Sequence, residues 1–251
     1  MSVAAGRIGE RHVAAGRTAS PSRHDRVFFS GMAAAAALTV FAGFAPTYYL
    51  KGYFASPALS PLLHVHGALF TSWIVFFIVQ TALVAWRRTR VHRRIGVAGG
   101  ALAGVMVVVG TMAAIDAARR GAAPPGVPPL AFLAIPLFDM VMFALLVGTA
   151  LYFRNRSDVH KRLMLLGTIG LLTAAIARLP FAFILAGGPL VFFGLTDIFV
   201  VTCFVYDLAT RRRVHPAFLW GGLLVVASQV LRVLLAFTGP WMKFAAWVTQ
   251  G

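Results

Sequence analysis

Residues 61–94 spell PLLHVHGALFTSWIVFFIVQTALVAWRRTRVHRR, and this stretch decides the fold class. Residues 62–86 are almost entirely apolar, and about 20 apolar residues are enough to cross the hydrocarbon core of a bilayer as an α-helix. Five arginines lie within the next eight residues. An apolar span that ends in a basic loop is typical of a membrane helix arriving at the cytoplasmic side.

The composition of the whole chain agrees with this interpretation. The 251 residues are 59% hydrophobic and 12% charged, with a mean hydropathy of +0.82, whereas a soluble domain is about 45–50% apolar and about 25% charged. The single cysteine, Cys203, excludes a disulfide within the chain and a zinc–thiolate cluster. We therefore predict an all-α, polytopic membrane protein with about seven transmembrane helices, at residues 27–45, 62–86, 95–115, 130–153, 163–186, 189–207 and 217–237.

Three regions follow from these spans. Residues 1–26 are polar and basic and predict a disordered cytoplasmic tail. Residues 27–238 form the transmembrane domain; the first span is expected to be retained rather than cleaved, because its flanking tail is long and Pro46 follows the only small-residue cleavage site. Residues 239–251 predict an interfacial amphipathic tail, with Trp241, Phe244 and Val248 on one helical face.

The lysines and arginines predict the orientation. If seven helices alternate, seventeen of these residues fall on the side of the amino terminus and four on the other side. The positive-inside rule then places the amino terminus in the cytoplasm and the carboxyl terminus outside, in a cytoplasmic (inner) membrane. The net charge of +16 is accordingly expected to contact anionic lipid headgroups rather than nucleic acid. A second copy of the chain, or a membrane-complex subunit, stays open as a partner.

Three short motifs suggest a family. His66-Gly67-Ala68 is followed by Gln80, then come His92-Arg93-Arg94-Ile95-Gly96 and His160-Lys161-Arg162-Leu163-Met164 with Ala177-Arg178-Leu179-Pro180. In this order the motifs resemble an uncharacterised bacterial family of multi-pass membrane proteins whose domain has no assigned function. The resemblance covers residues 60–182. It implies a helical bundle and implies no activity.

Ionisable residues inside membrane spans are costly and are candidates for function. Counted from the predicted helix ends at 1.5 Å per residue, five of them fall roughly 6–14 Å below the outer boundary. We expect this outer polar layer to form a buried site that opens outward. Its predicted members are His66, Asp139, Arg178, Asp197 and Arg232, with Gln229 on the same face as Arg232.

The residue types leave several functions open. The leading hypothesis is a redox or cofactor-binding protein in which His66, with His92 and His160, holds haem b or a transition metal. One alternative is a proton-coupled transporter or a sensor, with Arg178 and Arg232 gripping a small anionic solute. Another is a structural or assembly subunit in which Asp139 pairs with Arg178, and Asp197 pairs with Arg232. No catalytic residue is predicted, and whether the protein is an enzyme stays open.

Histidines two residues apart on a helix point about 200° away from each other. His64 and His66 therefore do not form a chelating pair. His66 shares a face with Trp73 and Gln80, whereas His64 lies at the outer boundary. We predict that His66→Ala impairs function more than His64→Ala. His92, His160 and His215 each begin a cytoplasmic helix among arginines, which repel cations, so contact with headgroups competes with metal binding there.

Overall fold

The structure is a computed structural model that describes residues 22–124 and 126–250. Every regular element in these ranges is a helix, and seven segments are long and apolar enough to cross a membrane. The prediction of an all-α polytopic bundle is therefore confirmed. Most of the predicted disordered tail, residues 1–21, lies outside the described residues. The helices are α1 Arg23–Phe44, α2 Pro61–Ala85, α3 Thr89–Arg119, α4 Pro129–Phe132, α5 Ala134–Tyr152, α6 Ser157–Ile176, α7 Ala182–Arg211, α8 Pro216–Ala236 and α9 Gly239–Gln250.

Polar side chains cap the amino-terminal ends of three of the membrane helices. The Ser22 hydroxyl accepts the Asp25 N–H at the start of α1, and the Ser60 hydroxyl accepts the Leu63 N–H at the start of α2. The His215 ring does the same for the Ala217 N–H at the start of α8. These caps satisfy N–H groups that the helix itself leaves without partners.

Helix α6 occupies the centre of the bundle and has the largest buried share of the seven spans. It packs against α1, α5, α7 and α8, while α2 and α3 complete the ring between α1 and α5. Gly43 lets α1 approach α6 closely, because a Cβ there would overlap the Ala175 carbonyl oxygen. Trp73 of α2 is 1% exposed, and its indole N–H donates to the Thr168 hydroxyl of α6 at 3.3 Å. Helix α1, with Met32 and Ala36 in the core, is an integral part of the bundle.

The fifth predicted span, 163–186, is misplaced toward the carboxyl end. Helix α6 starts at Ser157 and stops at Ile176, four residues before Pro180. Proline has no N–H to continue a helix and also disfavours the helical conformation of the residue before it. A turn over residues 177–181 therefore follows, and Arg178 lies in that turn rather than inside a membrane span.

Helix α7 differs from the predicted sixth span, 189–207, at both ends. It runs over 30 residues but is broken at Gly188, which has a φ of 56°, directly before Pro189. Glycine tolerates this left-handed backbone, and proline cannot donate across the break. The membrane-spanning part is Ala186–Arg211, so Asp197 lies eleven residues from its outer end, compared with eight in the predicted span.

The carboxyl-terminal segment is a helix, α9, that packs against the outer ends of α3, α4 and α8. Its packed face carries Trp241, Ala245 and Val248, and the Trp241 indole donates to the Leu130 carbonyl at 2.9 Å. Phe244 is 43% exposed, so it lies outside the packed face on which the sequence pattern grouped it. Arg119 of α3 donates to the Thr249 carbonyl at 3.1 Å and holds the end of α9.

The orientation can be tested with cysteines at exposed positions on opposite sides of the bundle. In a Cys203→Ser background, Ala58→Cys precedes α2 and Asn155→Cys lies between α5 and α6. We expect an impermeant maleimide to label Ala58→Cys in intact cells and Asn155→Cys only after lysis, because the basic loops face the cytoplasm. The opposite labelling pattern would invert the topology.

Candidate functional sites

Among the residues that the structure describes, Asp139 of α5 and Arg232 of α8 form a buried ion pair in the outer half of the bundle, which we call the outer ion pair. Arg232 is 3% exposed, and its Nη1 donates to Asp139 Oδ1. Its Nε and Nη2 donate to the backbone and hydroxyl oxygens of Ser228 at 3.1 and 3.0 Å. The guanidinium also lies 5.4 Å from the centre of the Phe193 ring. Arg232 is therefore neutralised and enclosed, and it has little capacity to bind a solute.

Asp197 has a different partner from the one predicted. Its Oδ1 accepts a hydrogen bond from Gln229 Nε2 at 2.9 Å, which joins α7 to α8. No arginine or lysine among the described residues forms a salt bridge with it. Its partly exposed side chain lines a shallow groove on the outward face of α7, together with Gly194, Ile198 and Val201. An aspartate without a cation at this depth is suited to carrying a proton.

Arg178 follows the carboxyl end of α6 and His66 lies near the outer end of α2, so both residues are at the outer rim of the bundle. Arg178 is exposed, its Nη1 donates to the Ala174 carbonyl at 2.7 Å, and its guanidinium lies 5.1 Å from the centre of the Phe44 ring. His66 stacks on Phe70 at 4.1 Å, and its buried Nδ1 has no hydrogen-bond partner among the described residues.

The residues of the predicted outer polar layer therefore do not come together in a single site. Both predicted ion pairs are wrong, because α6 ends early and leaves Arg178 beyond the helix end while Arg232 turns to Asp139. Gln229 takes the role of partner to Asp197. The layer separates into the enclosed pair of Asp139 and Arg232, the hydrogen-bonded Asp197, the exposed Arg178, and His66 with an unpaired buried nitrogen.

The three histidines of the cofactor hypothesis do not converge. His66 is near the outer end of α2, whereas Gln80, 14 residues further along the helix, contacts His92. At 1.5 Å per residue this separation is about 21 Å, too far for one metal ion or one haem iron. Within residues 22–124 and 126–250, no three His, Cys, Asp or Glu side chains are placed to hold a metal.

At the inner end, two histidines and one glutamine meet; we call Gln80, His92 and His160 the inner histidine cluster. The imidazole centres of His92 and His160 are 6.2 Å apart, and Gln80 Nε2 donates to the His92 carbonyl at 3.3 Å. These residues come from the three motifs that carry the family resemblance. His215 lies elsewhere, where its Nε2 is 3.0 Å from Asp158 Oδ2.

Sequence reasoning missed a second ion pair, the inner ion pair of Arg162 and Asp207. Both side chains are fully buried, and Arg162 makes two hydrogen bonds to the carboxylate, one of them from Nε at 3.1 Å. Asp207 also accepts the His215 N–H at 2.9 Å, so the pair ties α6, α7 and α8 together. Arg162 was counted with a loop because α6 begins six residues earlier than predicted. The sequence does contain a signal for this ion pair, since the chain has only seven acidic residues and one of them, Asp207, ends a predicted apolar span.

A related contact joins α1 to the same end of the bundle. Asp25 accepts the Tyr206 hydroxyl at 2.7 Å and pairs with Lys161 Nζ at 2.9 Å. Phe28 stacks on the Tyr206 ring with centres 3.8 Å apart. The inner end is therefore held by polar contacts among four helices.

Known proteins give no guide to these sites: models of protein families, curated proteins and solved structures all yield no match to the chain. The resemblance drawn from the three motifs stays a prediction. What the sites do has to be argued from their chemistry.

The inner ion pair predicts a specific stability pattern. Removing one partner leaves an uncompensated buried charge, so we expect Asp207→Asn or Arg162→Leu to lower the free energy of unfolding by about 3–5 kcal/mol. The double variant Arg162→Leu/Asp207→Leu should recover a large part of that loss. Unfolding in detergent measures all three, with Asp116→Asn as the control because that carboxylate is 33% exposed beside Arg120. Equal, small effects in every variant would contradict a structural role for the pair.

Proposed function

We propose that this integral membrane protein binds a small solute bearing a carboxylate or phosphate group at its outer face, with Arg178 as the principal donor. The proposal rests on a difference between the two arginines of the outer layer. Of the two arginines predicted in the outer layer, Arg232 is neutralised by Asp139, whereas Arg178 has no acidic partner among the described residues. An arginine held in place without a counterion is available for an anion.

The local geometry suits bidentate recognition. A guanidinium has five N–H donors in a planar fork that matches two oxygens of a carboxylate or phosphate. The Ala174 carbonyl engages Nη1, and the Phe44 ring supports the guanidinium. The remaining donors have no acceptor among the described residues, and the residue is exposed at the outer rim. An anion approaching from outside can therefore reach them without passing through the bundle.

His66 adds a second contact point. Its Nδ1 is buried without a partner, an arrangement that costs free energy unless something supplies a hydrogen bond. A solute that bridges Arg178 and His66 would satisfy that atom. This interpretation keeps the prediction that His66 matters more than His64, whose backbone carbonyl accepts the Tyr48 hydroxyl at 3.3 Å.

The same proposal gives Asp197 a part. A carboxylate that is hydrogen-bonded to Gln229 but has no cation beside it can take up and release a proton without breaking an ion pair. Binding of an anion at Arg178 together with protonation of Asp197 would make the solute's entry proton-coupled. We therefore place the protein among proton-coupled carriers or sensors of anionic solutes, ahead of the cofactor-binding class.

Titration of inorganic phosphate and of acetate into the purified chain, in a detergent free of phospholipid, tests the proposal. We expect Arg178→Gln to weaken binding of the preferred anion at least tenfold, because a charge-assisted hydrogen bond contributes about 1.5–3 kcal/mol. His66→Ala should weaken it less, and His64→Ala should not change it. Arg120→Gln is the matched control, since it removes one positive charge from the same side of the membrane.

Two outcomes would overturn the proposal. Binding that is absent, or equal in the wild type and in Arg178→Gln, removes Arg178 from the site. Phospholipid that co-purifies with the wild type but not with Arg178→Gln, while neither free anion binds, would assign Arg178 to a lipid headgroup instead of a solute.

A further inference from the structure

The inner histidine cluster lies at the opposite end of the bundle from Arg178 and is independent of the proposed function. It contains two atoms that are buried without a hydrogen-bond partner among the described residues: Gln80 Oε1 and His92 Nδ1. Gln80 is only 9% exposed. Because unsatisfied buried polar atoms are rare and costly, their occurrence side by side calls for an explanation.

The His160 ring is oriented as metal-binding histidines commonly are. Its Nδ1 is 2.8 Å from the Ala150 carbonyl, so this nitrogen carries the proton and donates it to that oxygen. The lone pair is then on Nε2. A backbone carbonyl that fixes the tautomer and angle of the ring in this way is the usual outer-shell partner of a histidine ligand.

The Gln80 amide is likewise fixed in one orientation. Its Nε2 donates to the His92 carbonyl at 3.3 Å, which leaves the oxygen as the free atom of the amide. The backbone of α3 at Gly96 is close to the amide, since a methyl group at this position would be in van der Waals contact with the same Nε2 at 3.4 Å. The cluster therefore offers electron-pair donors from α2, α3 and α6: an amide oxygen and two imidazole rings.

The separation of the two rings fits a shared ion. A first-row metal bound at about 2.0–2.1 Å from an imidazole nitrogen lies about 3.2 Å from the ring centre, so two rings can share it with centres up to about 6.4 Å apart. The observed separation is 6.2 Å. For an ion placed in line with one nitrogen of each ring, this separation would correspond to a nitrogen–metal–nitrogen angle of about 150°, wider than the tetrahedral angle that zinc adopts.

We propose that Gln80, His92 and His160 bind a copper(II) ion, with water completing the coordination. Tetragonal arrangements of nitrogen and oxygen ligands are typical of copper(II) and nickel(II), and copper binds more tightly to a given set of ligands. Among the described residues the site has no carboxylate or thiolate ligand, and Arg93 directly follows His92 in the chain. No negatively charged ligand therefore compensates the charge of the copper ion, so we expect a dissociation constant in the micromolar rather than the picomolar range.

The test is copper(II) titration of the purified, tag-free full chain, followed by calorimetry and by electron paramagnetic resonance. We expect one equivalent bound with hyperfine coupling to two imidazole nitrogens. His92→Gln and His160→Gln should each weaken that equivalent at least tenfold, and Gln80→Leu should weaken it less. His215→Gln is the control, because that ring is committed to Asp158 at the same end of the bundle.

A copper signal that is identical in wild type, His92→Gln and His160→Gln would overturn the site, as would a bound ion with coupling to one nitrogen only. Thermal unfolding of each variant without copper shows whether that variant folds. If a histidine variant is misfolded, the copper affinity of Gln80→Leu decides whether the proposed site exists. Phosphate binding at Arg178 is measured on separate residues, so failure of either proposal leaves the other standing.

Discussion

A charge inside a membrane-spanning bundle is costly unless a partner at close range neutralises it, because lipid offers none. This constraint is met by two arginine–aspartate pairs at opposite ends of the molecule. The inner pair, Arg162 with Asp207, connects α6 to α7, and the outer pair, Arg232 with Asp139, connects α8 to α5. Buried pairs are poor sources of net stability, but losing one partner is expensive, so they select this arrangement of helices over others.

The pairs also separate the polar residues into two groups. Arg162 is paired with Asp207 and Arg232 with Asp139, so the charges of these four residues are compensated within the bundle. The groups that are left over are Arg178 and His66 at the outer rim, Asp197 in the middle of α7, and the inner histidine cluster. Each of these has an atom whose hydrogen-bonding or charge requirement the described residues do not meet, and each is therefore where binding chemistry is proposed.

Much of the fold could be predicted from the sequence, because runs of apolar residues and the asymmetry of basic loops are strong, local signals. The helix ends could not be placed as well. Helix α6 stops early before Pro180, which leaves Arg178 beyond the helix, and it starts at Ser157, six residues earlier than predicted, which brings Arg162 into it. The partner of Arg232 could not be predicted either. Arg232 lies near both Asp139 and Asp197 in predicted depth, and only the packing of α8 against α5 and α7 decides which of the two it contacts. The meeting of Gln80, His92 and His160 required knowing which inner helix ends are neighbours.

Paired charges are expected to hold the helices together, whereas unpaired ones are expected to bind ligands. A double-mutant cycle on the free energy of unfolding, with Asp139→Leu, Arg232→Leu and the double variant, measures this for the outer ion pair. We expect a coupled pattern, in which each single change destabilises the protein by about 3–5 kcal/mol and the double variant loses much less than the sum. Small, additive losses would contradict it, because they would show that the pair does not hold α5 to α8 and is free to serve another purpose.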